Sequence, residues 1–374
     1  MITSAVTARL VATFTAPLDR ERDAAYAPSV LRWPDRRLLI QRGDAEAVAV
    51  GLDDGAVPRT RFPAPWPRRF GTFTVAPDGD LAVFSGVHAV RAVDPAGVVR
   101  WEVRHGCWEG GCRVLHESYE EYADDKAHLY ADSGSAVFSA DGSLVWAHVR
   151  GPVASAGPDP EALDEWLVID AADGRVLGRA DAETVAAGSE HVPHPDPAQM
   201  GLSVGEGQDG APLLWGRWDG VELSVEQFGE QERILTSVSP TGEYFLTVAH
   251  DLDSLALHRV ADGELVAELH TEDAVPRHPD ADPDDCEADE VMWDYECGFL
   301  DRETAITSTD QEEEFGPVRH WLLETAGMRP VGQIAYPFRV CGTPTALGDG
   351  TWYTVSRDGD ALHVWTPDNR RVSG

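Results

Sequence analysis

Seven times along this chain a short β-prone run stops at a small polar turn and then resumes. The turns are Trp33-Pro34-Asp35-Arg36, Pro77-Asp78-Gly79-Asp80, Ala140-Asp141-Gly142-Ser143, Gln208-Asp209-Gly210, Pro240-Thr241-Gly242-Glu243, Leu300-Asp301-Arg302-Glu303 and Gly348-Asp349-Gly350-Thr351. A unit that recurs roughly every forty to seventy residues is too small to bury its own apolar face, so copies must pack on one another. That requirement selects a repeat architecture before any single residue is interpreted.

After each turn comes a strongly apolar run: Leu38-Leu39-Ile40, Leu81-Ala82-Val83-Phe84, Leu144-Val145-Trp146, Leu213-Leu214-Trp215, Tyr244-Phe245-Leu246, Ala305-Ile306 and Trp352-Tyr353-Thr354-Val355. Such runs suit a strand buried on both faces, here the second of each unit. A third strand then ends at another small turn, at Asp53-Asp54-Gly55, Asp94-Pro95-Ala96-Gly97, Ala172-Asp173-Gly174, Gly229-Glu230, Ala261-Asp262-Gly263 and Ala326-Gly327. Gly and Asp supply the backbone angles that tight hairpins need. Each unit therefore reads as a four-stranded meander. The last stops after a third strand, Leu362 to Thr366, while the chain begins with an orphan strand, Ala8 to Phe14. Pairing the two removes exposed edges that invite aggregation. The fourth unit is short. Between Val221 and Pro240 there is barely room for its outer strand and the next inner one, which leaves six or eight units open beside seven.

A length of 374 residues fits about seven such units of roughly 40–45 residues plus insertions. The segment Ser239-Pro240-Thr241-Gly242-Glu243-Tyr244-Phe245-Leu246-Thr247-Val248, followed by Leu257-His258-Arg259-Val260-Ala261-Asp262-Gly263-Glu264-Leu265, carries a family resemblance. The chain resembles a seven-bladed β-propeller of the WD40/YVTN-like kind over essentially its whole length. The Gly-His and Trp-Asp signature of true WD40 repeats is absent, so the resemblance is one of architecture. It also resembles actinobacterial propeller proteins of unassigned function. The expected fold is all-β: one propeller domain over 1–374, closed by the N-terminal strand.

The formal charge of −35 repels nucleic acid and anionic membranes, so neither is an expected partner. One lysine, Lys126, among abundant Arg, Ala, Gly, Pro and Asp suggests a high-GC bacterial genome. Met1 to Leu18 has neither the basic start nor the apolar core of a signal peptide, and no stretch approaches the length of a membrane span. A soluble cytoplasmic protein with reduced thiols is expected, its five cysteines being sparse and odd in number.

Long insertions are expected at Arg104–Gly134, Gly151–Glu165, Asp181–Gln199, Thr271–Glu290 and Gln311–Val318, all on one face. The first carries His105, Cys107, Cys112 and His116 within twelve residues, with glycines between them. Two thiols and two imidazoles are a donor set for tetrahedral Zn²⁺, making these four the candidate ligands for a divalent metal. An inward-packed loop with a labile disulfide is the plainer alternative.

Histidine is both a common metal ligand and a general base near neutral pH. His148, His191, His194 and His250 are the candidate catalytic group, since His148 and His250 fall near the ends of second strands. Arg42, Arg150, Arg217 and Arg357 also fall at or just past second-strand ends, where guanidinium groups can grip carboxylate or phosphate. With Trp218, which offers a flat wall, they form the candidate ligand-binding set. Neighbouring acids such as Asp44, Asp219 and Asp358 are the competing partners. The run Asp280–Glu290 resembles the start of a calcium loop but lacks its glycine and closing acid; it and Glu312-Glu313-Glu314 read as solvated acidic loops.

No nucleophile elbow, phosphate-binding glycine loop or dinucleotide fingerprint is found. Three functions follow. The first is a binding module for a protein, peptide or anionic small molecule. The second is a metal-assisted lyase, cyclase or hydrolase built on the histidines and arginines. The third is a structural scaffold.

Overall fold

The structure, a computed structural model, describes residues 5–53, 58–152, 164–229, 232–277, 291–310 and 318–368. The chain groups into two compact units, one of Ala16–Gln231 and one of Met1–Thr15 with Glu232–Gly374.

The unit Ala16–Gln231 holds four separate four-stranded antiparallel sheets, each with its strands in chain order. They are Ser29–Trp33, Arg36–Arg42, Glu46–Gly51 and Thr60–Pro63; then Gly71–Val75, Ala82–Gly86, Ala89–Val93 and Val99–Arg104; then Ala136–Phe138, Leu144–Arg150, Asp164–Asp170 and Val176–Asp181; then Gly188–Pro193, Gln199–Gly205, Leu213–Trp218 and Leu223–Gln227. Second and third strands are buried on both faces, as their unbroken apolar runs require: Leu38, Val83, Phe84, Trp146, Leu167 and Val168 are all wholly shielded. Fourth strands alternate or lie exposed. The Trp146 and Trp166 rings of the third sheet meet at 5.5 Å and pack against Gly216 of the fourth.

The second unit has one four-stranded sheet, Arg233–Val238, Tyr244–Ala249, Ser254–Arg259 and Leu265–His270, and one of eight strands. The eight comprise Met292–Phe299, Thr304–Asp310, His320–Glu324 and Arg329–Ala335, then Ala5–Thr15, Ala361–Pro367, Trp352–Val355 and Thr345–Ala346. The N-terminal strand thus takes the fourth place beside the last three, as the sequence predicts. It runs antiparallel to Ala361–Pro367, from Ala8↔Pro367 to Thr15↔Ala361, with a bulge between Leu10 and Ala12. Its first residues also pair in parallel with Gln333–Ala335, which joins the two groups of four.

The repeat is visible in its irregularities. In four of the sheets the ladder between third and fourth strands slips by one residue at the same place, at Ala92/Val93, Val168/Ile169, Leu257/His258 and Leu322/Leu323. A slip next to a tight hairpin sharpens the local twist. The first hairpins repeat a capped turn. Ser139 Oγ accepts from the Leu144 N–H and Ser239 Oγ from the Tyr244 N–H, with Gly142 and Gly242 at positive φ.

The fourth sheet is framed differently from the sequence expectation. Leu213–Trp218 is its third strand, and the Gln208–Gly210 turn precedes that strand. Its first strand, Gly188–Pro193, runs inside the segment expected as an insertion at Asp181–Gln199. Glycine and polar residues in Gly188–Pro193 and Gln199–Gly205 hide an alternation in which Met200, Leu202 and Val204 point inward. The insertions near 153–163 and 311–317, the calcium-like run Asp280–Glu290 and Glu312-Glu313-Glu314 lie outside the described residues. Thr271–Ala274 forms one short helical turn. No helix among the described residues is long and apolar enough to cross a membrane.

Candidate functional site

The segment between strands Val99–Arg104 and Ala136–Phe138 is folded, with short 3₁₀ turns at Tyr119–Glu121 and Ala127–Tyr130. Its start is stitched down by backbone bonds: His105 N–H to the His88 carbonyl, Gly106 N–H to that of Arg150, and Trp108 N–H to that of Val87. Both ends need glycine. A Cβ on Gly106 would stand 2.2 Å from the Gly151 carbonyl oxygen, and one on Gly134 would stand 1.9 Å from that of His148.

Within this segment Cys107, Cys112, His116 and His128 converge, one ligand atom of each lying within 4.8 Å of all the others. Cys107 Sγ lies 3.3 Å from His128 Nε2, and Cys112 Sγ lies 3.4 Å from His116 Nε2. Each imidazole turns its other nitrogen to a carboxylate. His116 Nδ1 is 3.0 Å from Glu121 Oε2, and His128 Nδ1 is 3.0 Å from Asp125 Oδ2. The bond to His116 and the Glu117 N–H hold the Glu121 carboxyl below its usual range; the Ala127 N–H and then His128 do the same for Asp125. Both sulfurs accept a backbone N–H from two residues onward, from Glu109 at 3.4 Å and Val114 at 3.5 Å. Neither thiol is in a disulfide.

Tyr122 floors the cluster. Its ring stacks on His128 at 4.9 Å and meets His116 at 4.9 Å, and its hydroxyl is 2.8 Å from His88 Nδ1. Phe70 and Tyr119 extend the aromatic layer. In these surroundings burial pushes the Cys107 thiol up to about 12. The neutral thiol is therefore favoured unless a cation sits beside it.

Of the four residues the sequence nominates as ligands, Cys107, Cys112 and His116 meet here. His105 does not: it is wholly buried, with Nδ1 2.7 Å from the Gly106 carbonyl oxygen. His128 stands in its place. It lies 21 residues from Cys107, beyond any local spacing pattern.

Of the candidate catalytic histidines, His148 and His191 are buried close enough for each to oppose the other's charge. His148 is fully shielded, and burial, with Arg150 nearby, lowers it to about 3. His191 accepts from Trp166 Nε1 at 2.9 Å through Nε2, so its Nδ1 carries the proton toward Ser135 Oγ at 2.7 Å. His194 Nδ1 accepts the Asp196 N–H, and its ring meets Trp215 edge-on. His250 is exposed in a turn of the other unit.

Among the arginines, Arg42 is buried over the Phe84 ring and donates to the Trp66 carbonyl at 2.5 Å, burial lowering it to about 10. Arg150 pairs with Asp164 at 2.8 Å and Arg217 with Glu226 at 2.9 Å. Arg217 ends a third strand and so faces the opposite way along its sheet from Arg42 and Arg150, which end second strands. It lines, with Trp218, a cleft of about 400 Å³ that also carries Asp196, Asp219 and Glu222. Three carboxylates against one guanidinium make this a poor anion site. Arg357 is exposed in the turn after Trp352–Val355.

With this architecture described, its relatives by shape can be stated. No family model matches the chain, and no curated protein does. It is similar to the Pan2 WD40 domain of Neurospora crassa, with TM-score 0.55 and 11% identity over 99% of this chain and 98% of that one. It is similar to a chain of the mitotic checkpoint complex, with TM-score 0.55 and 9% identity over 98% and 93%. U3-55K gives TM-score 0.52 and 9% identity over 91% and 98%. The fold is therefore an all-β propeller of four-stranded antiparallel blades, of the WD40-like kind.

Proposed function

We propose that this propeller is a protein-binding module and that the Arg104–Gly134 insertion is its contact surface. The observation that carries this reading is the exposure of Tyr130, which at 91% is the highest of any large apolar side chain among the described residues. Val114 at 54% and Leu115 at 43% stand out from the same insertion, directly before His116. An aromatic anchor and two aliphatics on a loop whose inner half is packed and pinned are pre-organised, so little ordering entropy opposes association. The insertion carries seven acids against three Arg or Lys, within a chain of net charge −35, so a partner with a basic surface complements it.

The enzyme reading draws less support, because three of its four histidines, His148, His191 and His194, are buried and contacted by neighbours, and His250 is exposed in a turn. An anionic small molecule is disfavoured at the Arg217 cleft by its carboxylates. The test is affinity capture with the native chain and with the double variant Leu115→Ser, Tyr130→Ser. A stoichiometric basic partner whose recovery falls at least tenfold in the variant, with circular dichroism unchanged, supports the proposal. A partner held equally by both moves the contact elsewhere, and no stoichiometric partner overturns the reading.

A further inference from the structure

We propose that Cys107, Cys112, His116 and His128 bind one Zn²⁺ in a closed tetrahedral site that clamps the insertion. The first argument is metric. With Zn–S near 2.3 Å and Zn–N near 2.0 Å, ligand atoms of a tetrahedral site stand about 3.3–3.8 Å apart. The two S···N pairs, at 3.3 and 3.4 Å, already have that spacing. The second argument is the surrounding shell. Ligand imidazoles characteristically donate their second N–H to a carboxylate, which fixes the tautomer and directs the free lone pair at the metal. Glu121 and Asp125 do this for both histidines, so both Nε2 atoms are left as the inward-facing acceptors. The third is charge. Each sulfur receives a backbone N–H that stabilises a thiolate, and two thiolates with two neutral imidazoles neutralise a divalent ion.

Two sulfurs and two nitrogens select zinc over calcium or magnesium, and four protein ligands leave no position for water or substrate. The ion is therefore structural. Binding expels the two thiol protons to solvent and involves no redox change. The ligand spacing, with four residues between the cysteines, three from Cys112 to His116 and eleven from there to His128, uses the Tyr119–Glu121 and Ala127–Tyr130 turns to bring the last ligand back.

The test uses the full chain, purified under reducing conditions without chelator. Native against denatured mass spectrometry is expected to give one zinc per chain. Cobalt added to the stripped protein is expected to give the strong visible absorption and sulfur charge-transfer bands of a tetrahedral thiolate site. Cys112→Ser and His128→Ala should each lose stoichiometric metal, while His105→Ala retains it. A wild-type chain that takes up neither zinc nor cobalt overturns the assignment, as does full occupancy in the two ligand variants. Should those variants fail to fold, the exposed Glu121→Gln substitution decides. A fall in zinc affinity of about 10–100-fold supports the site, and unchanged affinity overturns it. These readouts need only the isolated chain, so their outcome is separate from whether the insertion captures a partner.

Discussion

The guanidinium of Arg150 donates to the carboxylate of Asp164 across 2.8 Å, with Asp164 wholly excluded from solvent. Asp164 Oδ2 also accepts the Ala186 N–H at 2.7 Å and the Thr184 hydroxyl at 3.1 Å. One carboxylate thus ties the second strand of its sheet to the link that leads to the next. Replacing a single member of a buried pair strands the other charge. Asp164→Ala is therefore expected to destabilise the protein by about 3–5 kcal/mol, read as a lower urea midpoint. Adding Arg150→Met should restore part of that loss. A single-variant cost under about 1 kcal/mol would mean that water reaches Arg150 freely.

In the other unit, Tyr336 joins two elements through one oxygen. Trp352 Nε1 donates to its hydroxyl at 2.9 Å, and that hydroxyl lies 2.6 Å from His320 Nδ1. His320 Nε2 in turn lies 3.0 Å from the Gly342 carbonyl oxygen, so it carries the proton and the tyrosine donates to Nδ1. Tyr336→Phe keeps the ring contacts with Trp365 and leaves two buried polar groups unpaired. A loss of about 1–3 kcal/mol is expected in denaturant titration. No change in midpoint would show that water substitutes for the hydroxyl.

What was legible in the sequence follows from range. Hairpin turns are local, so Gly79, Gly142 and Gly242 announced themselves, and the orphan N-terminal strand followed once the last unit was counted one strand short. The fourth sheet was misframed because Gly201 and Gly205 dilute the apolar run that marks a second strand elsewhere. Arg217 was therefore grouped with residues at the other end of their strands. The ligand cluster was three-quarters legible, since Cys107, Cys112 and His116 share a short glycine-bent stretch. His105 and His128 are indistinguishable by composition. Only the turns at Tyr119–Glu121 and Ala127–Tyr130 decide that one faces the Gly106 carbonyl and the other faces Cys107.

The clamp proposed for the insertion has a proteolytic consequence. Arg113 and Lys126 are exposed tryptic sites inside the loop that the four ligands enclose. With metal removed by chelator under reducing conditions, local opening should become easier and cleavage at these two bonds should accelerate at least tenfold, while sites within the sheets stay resistant. Peptide mapping over time reads this directly. Equal rates with and without chelator would show that packing on Tyr122 and Phe70 alone holds the loop.

Acid should unfold this protein earlier than its carboxylates alone would require. Burial lowers His88 and His148 to about 3 and His105 and His320 to about 4, and it lowers His191 and His258 as well. In the unfolded chain each titrates near 6.5. Between that value and the folded one, the unfolded state binds more protons, so stability rises with pH and is lost as pH falls. The ceiling is about 1.4 kcal/mol per histidine per pH unit. The carboxyls of Asp164, Glu190 and Asp132, raised by desolvation, oppose the slope as three groups against six. Melting temperature of the metal-free chain at fixed ionic strength should be level from pH 8 to 7 and fall steeply from about 6.5 toward 5. A level profile through pH 5 would mean that these imidazoles take up protons in the folded state and are reached by solvent.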